Sequence, residues 1–189
     1  MKIVLASSSP RRRELLSAAG VGEFEICPAM GEETAPEGLA PDELVKHLSR
    51  QKAVEVAAKN SDAVVIAADT IVWSAGRALG KPRDRADAFA MLSQLSGKVH
   101  EVYTGVTVIC GEKLISEAEC TRVHFRELSV DEINAYIATG EPMDKAGSYA
   151  IQGRASLMVE KIDGDYFNVV GLPLCRLGAM LKTIGVRLL

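Results

Sequence analysis

The sequence contains few aromatic residues, little net charge and no long apolar run. Only 5% of its 189 residues are aromatic and the net charge is -3, whereas a surface that binds nucleic-acid phosphates needs a basic face. The longest unbroken apolar run covers residues 63–68, far short of the roughly 20 residues that a membrane-spanning helix needs. These absences predict a protein that binds neither nucleic acid nor a membrane.

Patterns of disulfide and zinc binding are missing as well. No C-x-x-C pair occurs, and the three histidines lie far apart in the sequence. Scattered cysteines favour buried thiols in a reducing compartment over disulfides. The apolar run at residues 3–6 is too short for the core of a secretory signal, so we expect a cytoplasmic location. The four cysteines are Cys27, Cys110, Cys120 and Cys175.

What the sequence does contain is the composition of an ordinary globular protein, with 48% hydrophobic and 25% charged residues. The length suits one domain over residues 1–189, built as two lobes. Strand-type and helix-type segments alternate, which predicts an α/β fold with a mixed sheet. Strands are predicted at residues 2–6, 63–68, 98–127 (two segments) and 156–162, and helices at residues 10–20, 41–59, 85–95, 129–139 and 173–184.

Residues 6–13 (ASSSPRRR) place three arginines in the first turn of a helix predicted to begin after Ser9. The N-terminus of a helix already carries positive partial charge, so this arrangement is unfavourable unless an anion binds there. Serine hydroxyls, free backbone N–H groups and the guanidinium groups of Arg11 and Arg12 would together form a cradle for a phosphate. A solvated basic turn with a simple serine cap explains the same residues, and both interpretations stay open at this point.

Two charged side chains fall at apolar positions. Asp69 directly follows the predicted buried strand, where a carboxylate is costly unless it meets a cation or a polar partner. It is a metal ligand, a general base or a cap of the following turn. Lys52 has Leu48 and Val56 four residues to either side, so it lies on the apolar stripe of its helix. Its ammonium group either enters an anion pocket or extends back to solvent.

The other polar candidates are less specific. Glu32 and Glu33 suit a magnesium site only if the chain brings them near Asp69. Lys81 lies in a G-K-P turn that is not a P-loop, and Gln152 is able to bind a ligand with both ends of its amide. No nucleophile elbow, zinc-protease motif or dinucleotide-binding motif occurs. With these motifs excluded, the remaining candidates are cationic and carboxylate side chains around a phosphate. This combination favours metal-assisted chemistry at phosphorus.

Beyond these patterns, six motifs resemble those of the Maf family of nucleotide pyrophosphatases, in order and without large gaps. The resemblance runs from about residue 3 to about residue 180. Six ordered motifs in one chain are not expected by chance. They are A-S-S-S-P-R-R at residues 6–12, A-D-T at 68–70, G-K-P at 80–82, L-S-G at 95–97 with the histidine at 100, G-E-P-M-D-K-A-G at 140–147 with Y-A-I-Q-G at 149–153, and D-Y at 165–166 with V-V-G-L-P at 169–173.

The resemblance implies a fold, a reaction and a cofactor. The fold is an elongated α/β structure like that of the inosine triphosphate pyrophosphatases, in which helices flank a mixed twisted sheet and two lobes enclose a cleft. The reaction is hydrolysis of a nucleoside triphosphate to the monophosphate and pyrophosphate. The cofactor is a divalent metal cation, with Mg²⁺, Mn²⁺ and Co²⁺ all open. By analogy the chain is expected to be a homodimer.

The same resemblance implies roles for individual residues. Asp69 would accept the proton of the attacking water and bind the metal, together with Glu32. Glu33 is the alternative metal ligand if the alignment shifts by one residue. Lys52 and Lys81 would be catalytic by steadying the triphosphate.

Five further residues would bind the substrate, and three of these indicate the base. Ser7 and Arg12 would line the turn that holds the triphosphate. Arg11, Thr70 and Gln152 match the branch of the family that resembles dTTP and UTP pyrophosphatases. An arginine and an amide are suited to the hydrogen-bonding edges of uracil and thymine. We therefore expect hydrolysis of dTTP, UTP or modified pyrimidine triphosphates.

One alternative belongs to another functional class, namely a regulatory nucleotide-binding protein that affects septum formation through a protein partner. The carboxylates of Asp69 and Glu32 argue against it, because they repel a triphosphate unless a metal intervenes. A phosphotransferase that uses ATP is disfavoured by the lack of a P-loop or kinase signature.

Overall fold

A computed structural model describes all 189 residues as alternating strands and helices. The strands are β1 (Ile3–Leu5), β2 (Glu25–Ile26), β3 (Val64–Ser74), β4 (Arg77–Leu79), β5 (Val99–Cys110), β6 (Lys113–Phe125) and β7 (Val159–Asp163). The helices are α1 (Pro10–Ala18), α2 (Pro41–Ala57), α3 (Arg85–Leu95), α4 (Val130–Ala138), α5 (Tyr166–Val170) and α6 (Leu174–Thr183). Short 3-10 turns occur at Glu141–Asp144, Ala146–Ser148 and Arg154–Leu157.

The seven strands form one mixed sheet. Its order is β2-β1-β3-β5-β6-β7, with β4 paired to β3 outside this path. Strand β1 runs parallel to both β2 and β3, whereas β3 with β4 and β6 with β7 are antiparallel. The predicted α/β class with a mixed sheet and flanking helices is confirmed.

The chain divides into two compact units. The first unit contains Met1–Asp69, Thr104–Glu119 and Gly171–Leu189, and the second contains Thr70–Tyr103 and Cys120–Val170. Strands β3, β5 and β6 each contribute residues to both units. The expectation that the chain works as one domain with a cleft between lobes stays a prediction.

The core of the first unit follows from the alternation of side chains along its strands and from the buried face of helix α2. Alternate residues of β3, among them Val65 and Ala67, lie on one face of the sheet and are fully buried. Ala53 and Val56 of α2 belong to the same buried cluster. The helix approaches the sheet closely at Gly105, where a Cβ atom would lie 2.2 Å from the carbonyl oxygen of Val45. Only glycine permits that approach.

The second unit contains a buried ring cluster and a well-capped helix. His100, Phe125 and Tyr149 meet edge to face, with ring centroids 4.9 to 5.4 Å apart. Helix α4 begins with a capping box, in which the Ser129 hydroxyl accepts from Glu132 N and the Glu132 carboxylate accepts from Ser129 N.

Three local expectations are wrong. Strand β3 continues to Ser74, so Asp69 lies inside a strand and not after one. A 3-10 turn occupies Arg154–Leu157, and β7 begins only at Val159. None of the four cysteines is fully buried, and Cys175 is exposed.

None of the helices combines the length and the apolar character that a membrane crossing requires.

Candidate active site

The first unit brings together four charged side chains, which we call the charged cluster: Arg12, Glu33, Lys52 and Asp69. The Lys52 ammonium nitrogen lies 2.5 Å from Asp69 Oδ1 and 3.0 Å from Glu33 Oε1. The side chains of Lys52 and Asp69 are only 16% and 12% exposed. A pair so far removed from water is costly unless the charges compensate each other, and here they do.

Lys52 and Asp69 meet because the apolar pattern of each element carries them to the same interface. Asp69 continues the alternation of Val65 and Ala67 along β3, so it lies on the sheet face that α2 covers. Lys52 directly precedes the buried Ala53 in α2 and lies one turn before Val56. The packing of small apolar residues therefore sets the position of the ion pair.

Arg12 and Ser7 hold the turn between β1 and α1. Arg12 Nε donates to the carbonyl oxygen of Gly171 over 2.8 Å, and its Nη1 donates to Ser7 Oγ over 3.3 Å. Ser7 Oγ also accepts from the backbone N–H of Ser9 over 3.2 Å. Burial of the guanidinium lowers the pKa of Arg12 from its usual value, while the charges of Asp69 and Glu33 act in the opposite direction.

The structure brings Glu33, and not Glu32, onto Lys52. Both side chains are exposed, but Glu33 Oε1 makes the ion pair described above, whereas Glu32 borders an open groove beside α2. The metal ligand first expected was Glu32, with Glu33 as the alternative. The geometry favours the alternative.

The charged cluster fits a divalent cation that also binds phosphate. Its two carboxylates are balanced by Lys52 and Arg12, so the four side chains carry no surplus positive charge for a triphosphate. Mg²⁺ is typically held by one or two carboxylates together with substrate phosphates, and Asp69 and Glu33 supply that number. No group of three or more His, Cys, Asp or Glu side chains suited to a metal occurs anywhere in the structure.

The remaining predicted residues lie outside the charged cluster. Arg11 is half-buried in the first turn of α1. Thr70, Lys81 and Gln152 belong to the second unit, where Thr70 is half-buried and the other two are exposed. The carbonyl oxygen of the glycine before Lys81 accepts from Gly147 N over 3.0 Å, which joins two of the sequence motifs within that unit.

Two contacts of the site were not predicted from the sequence. The carbonyl oxygen of Gly171 anchors Arg12, and Glu55 binds the backbone of Met30 and Gly31, just before Glu33. Gly171 lies in the V-V-G-L-P motif, so the sequence marked one residue of the first contact without indicating its partner. Glu55 belongs to none of the six motifs, so the sequence offered no comparable signal for the second.

Comparisons with known proteins found relatives in both sequence and fold. A family model described as "Maf-like protein" matches residues 2–184. A dTTP/UTP pyrophosphatase of Bacillus cereus is 53% identical over 98% of this chain and 96% of its own length. A protein of the same name from Bacillus anthracis is 52% identical over the same shares. Among solved structures, a HAM1 protein from Coxiella burnetii matches with a TM-score of 0.56 and 13% identity, covering 97% of this chain and 99% of that one, which is a likeness of fold.

Proposed function

This chain belongs to the Maf-like protein family, and we propose that it is a nucleoside triphosphate pyrophosphatase that hydrolyses dTTP and UTP. The products are the nucleoside monophosphate and pyrophosphate. Relatives that match it over nearly their whole length carry the name of that enzyme. The alternative of a purely regulatory nucleotide-binding protein is not favoured.

The observation that carries this proposal is the charged cluster, with Lys52 between the carboxylates of Glu33 and Asp69. A protein that only binds nucleotide gains nothing from two carboxylates beside a triphosphate, because like charges repel. A hydrolase needs a carboxylate there to accept a proton. Arg12 of the cluster also contacts Ser7 in the turn between β1 and α1, which supplies hydrogen-bond donors for phosphate.

In the proposed reaction, a water oxygen attacks the α-phosphorus and Asp69 accepts the proton that this water loses. The bond between the α-phosphorus and the bridging oxygen breaks, and pyrophosphate leaves with the bonding electrons. A positioned carboxylate base contributes roughly 10²–10⁴-fold to such a step. Lys52 orients the Asp69 carboxylate in the absence of substrate and, together with Lys81, stabilises the negative charge of the phosphates.

Asp69 and Glu33 would hold a divalent cation, and Glu32 remains the alternative to Glu33. When bound, the cation supplies positive charge to the phosphate oxygens. Both carboxylates contact Lys52, so the same two side chains would be available to the cation while the Lys52 ammonium group would face the phosphates.

Arg11, Thr70 and Gln152 are proposed to select the pyrimidine base. An amide offers both a donor and an acceptor to the edge of uracil or thymine, and a guanidinium offers donors only. The exposed side chain of Gln152 is available for such a contact. We also propose that the protein acts in the cytoplasm as a homodimer, by analogy with its family.

The proposed function is tested by measuring pyrophosphate release from a panel of nucleoside triphosphates with Mg²⁺, for the wild type and Asp69→Asn. We expect turnover of UTP and dTTP with stoichiometric monophosphate, and a loss of roughly 10²–10⁴-fold in kcat for the variant. Glu43→Gln, an equivalent change on the exposed face of α2, serves as control and should retain full turnover. Preference for purine triphosphates would contradict the roles of Arg11, Thr70 and Gln152. Binding of nucleotide without turnover would contradict the enzyme itself.

A further inference from the structure

Side chains on one face of α2 form hydrogen bonds with the loop that carries Glu33. We call residues 30–34 the acid loop. The carboxylate of Glu55 accepts two backbone hydrogen bonds from it, from Met30 N to Oε1 and from Gly31 N to Oε2, both over 2.9 Å. Hydrogen bonds to a charged acceptor are roughly twice as strong as neutral ones. The start of the acid loop is thus fixed by a single side chain.

The end of the acid loop is held by the same face of α2. Gln51 Nε2 donates to Thr34 Oγ1 over 3.1 Å, and His47 Nε2 donates to the carbonyl oxygen of Thr34 over 3.0 Å. His47, Gln51 and Glu55 are spaced four residues apart and therefore share one face of the helix. With both ends attached, Glu33 is presented from a short, fixed segment.

The helix that holds the acid loop also carries Lys52. Glu55 lies one helical turn after Lys52, whose ammonium nitrogen is 3.0 Å from Glu33 Oε1. A single helix therefore positions both the Lys52 ammonium group and the backbone of the loop that carries Glu33. Sites built on a helix keep their geometry better than sites built on loops alone.

A carboxylate at position 55 is not what charge alone would favour, because Glu32 and Glu33 lie in the segment that it binds. The two backbone N–H groups, that of Met30 first, lower the pKa of Glu55, because their hydrogen bonds favour the charged form of the carboxylate. Gly31 keeps the approach open, since a Cβ atom there would lie 2.9 Å from Glu55 Oε2. The contact thus depends on Glu55, which accepts the two hydrogen bonds, and on Gly31, which leaves room for the carboxylate.

We propose that Glu55 is a positioning residue of the active site, which holds the acid loop so that Glu33 faces Lys52 and Asp69 and thereby sets the affinity for the divalent cation. This inference rests on the proposed function. Glu55 itself is not proposed to touch substrate or metal.

The test compares the wild type with Glu55→Ala, Glu55→Gln and the control Glu43→Gln, whose carboxylate pairs with Lys46 on the same helix. Three quantities are measured: amide hydrogen exchange of Met30 and Gly31 in the protein alone, binding of Mn²⁺ without nucleotide by electron paramagnetic resonance, and the separate kcat and KM for UTP at several Mg²⁺ concentrations. The first two do not depend on activity.

For Glu55→Ala we expect faster exchange at Met30 and Gly31 and a loss of about tenfold in Mn²⁺ affinity, the size seen for residues that orient metal ligands. The Mg²⁺ concentration at half-maximal rate should rise by a similar factor, while kcat at saturating Mg²⁺ stays near that of the wild type. Glu55→Gln, which keeps one acceptor oxygen, should be intermediate, and Glu43→Gln should match the wild type.

Unchanged exchange at Met30 and Gly31 in Glu55→Ala would overturn the proposal. Faster exchange with unchanged Mn²⁺ binding would overturn it too, because the contact would then be structural only. If the wild type hydrolyses no triphosphate and yet Glu55→Ala lowers Mn²⁺ affinity, the proposed function fails while the positioning role of Glu55 is supported.

Discussion

Lys52 in the first unit and His100 in the second are both basic side chains removed from water, and the protein treats them in opposite ways. Lys52 is 16% exposed and is paired with two carboxylates. His100 is 2% exposed and lies among aromatic rings, with its Nε2 atom 2.8 Å from the hydroxyl of Tyr149 and no hydrogen-bond partner at Nδ1. Burial lowers the pKa of His100 to about 4, so it is neutral at physiological pH.

Under the proposed function, the difference separates a functional from a structural use of a buried polar group. A charge is retained at Lys52 because Asp69 and Glu33 compensate it, and in the proposed reaction that charge serves an incoming phosphate. The neutral His100 has no carboxylate to pair with and instead completes a ring cluster with Phe125 and Tyr149. Changes at Lys52 should therefore affect catalysis more than stability, and changes at His100 stability more than catalysis.

Among the changes that test this comparison, the largest effect is expected from Lys52→Met, which keeps the length of the side chain and removes its charge. We expect kcat/KM for UTP to fall roughly 10²–10³-fold, as happens when a preorganised electrostatic group is lost. The measurement is steady-state kinetics at saturating Mg²⁺, with circular dichroism to confirm folding.

The control for Lys52→Met is His100→Leu, which should retain the kcat/KM of the wild type at temperatures where it is folded. If both variants lose activity to the same extent while folded, the separation between a functional and a structural buried group is wrong.

Much of the fold follows from local signals in the sequence. Asp84 caps α3 and Ser129 caps α4, and each cap is a local signal because it involves residues three positions apart. The length of β3 was not predictable in this way. Asp69 looks like the end of a strand until Lys52, distant in sequence, compensates its charge and lets the strand continue.

The candidate site shows the same limit. The motifs point to a set of charged and polar residues, but the choice between Glu32 and Glu33 depends on the conformation of residues 30–34. That conformation is set by the side chain of Glu55 on another element, and no periodicity in the sequence records it. The ring cluster around His100 was missed for a similar reason, because its members come from β5, β6 and the segment after α4.

The second prediction concerns the stability of the ring cluster. His100→Leu leaves the buried hydroxyl of Tyr149 without its partner, which should cost about 1–3 kcal/mol in the free energy of unfolding. Adding Tyr149→Phe removes that hydroxyl, so the double variant should recover part of the loss. Denaturant unfolding of the wild type, both single variants and the double variant measures this coupling. Strictly additive losses would show that the hydrogen bond contributes nothing.

The smallest effect is a dependence of stability on pH. The pKa of His100 is about 4 in the folded protein and about 6.5 when unfolded, so the unfolded state binds more protons between these values. Stability must then fall as the pH decreases through this window, by about 1 kcal/mol between pH 6 and pH 5 from this group alone. Denaturant unfolding at pH 6 and pH 5 gives the change in the free energy of unfolding between the two pH values. In His100→Leu this change should be smaller than in the wild type by the same amount. The other ionisable side chains are present in both proteins, so the comparison isolates the contribution of position 100. An equal pH dependence in the two proteins would mean that His100 is not held neutral, and the contrast with Lys52 would lose its physical basis.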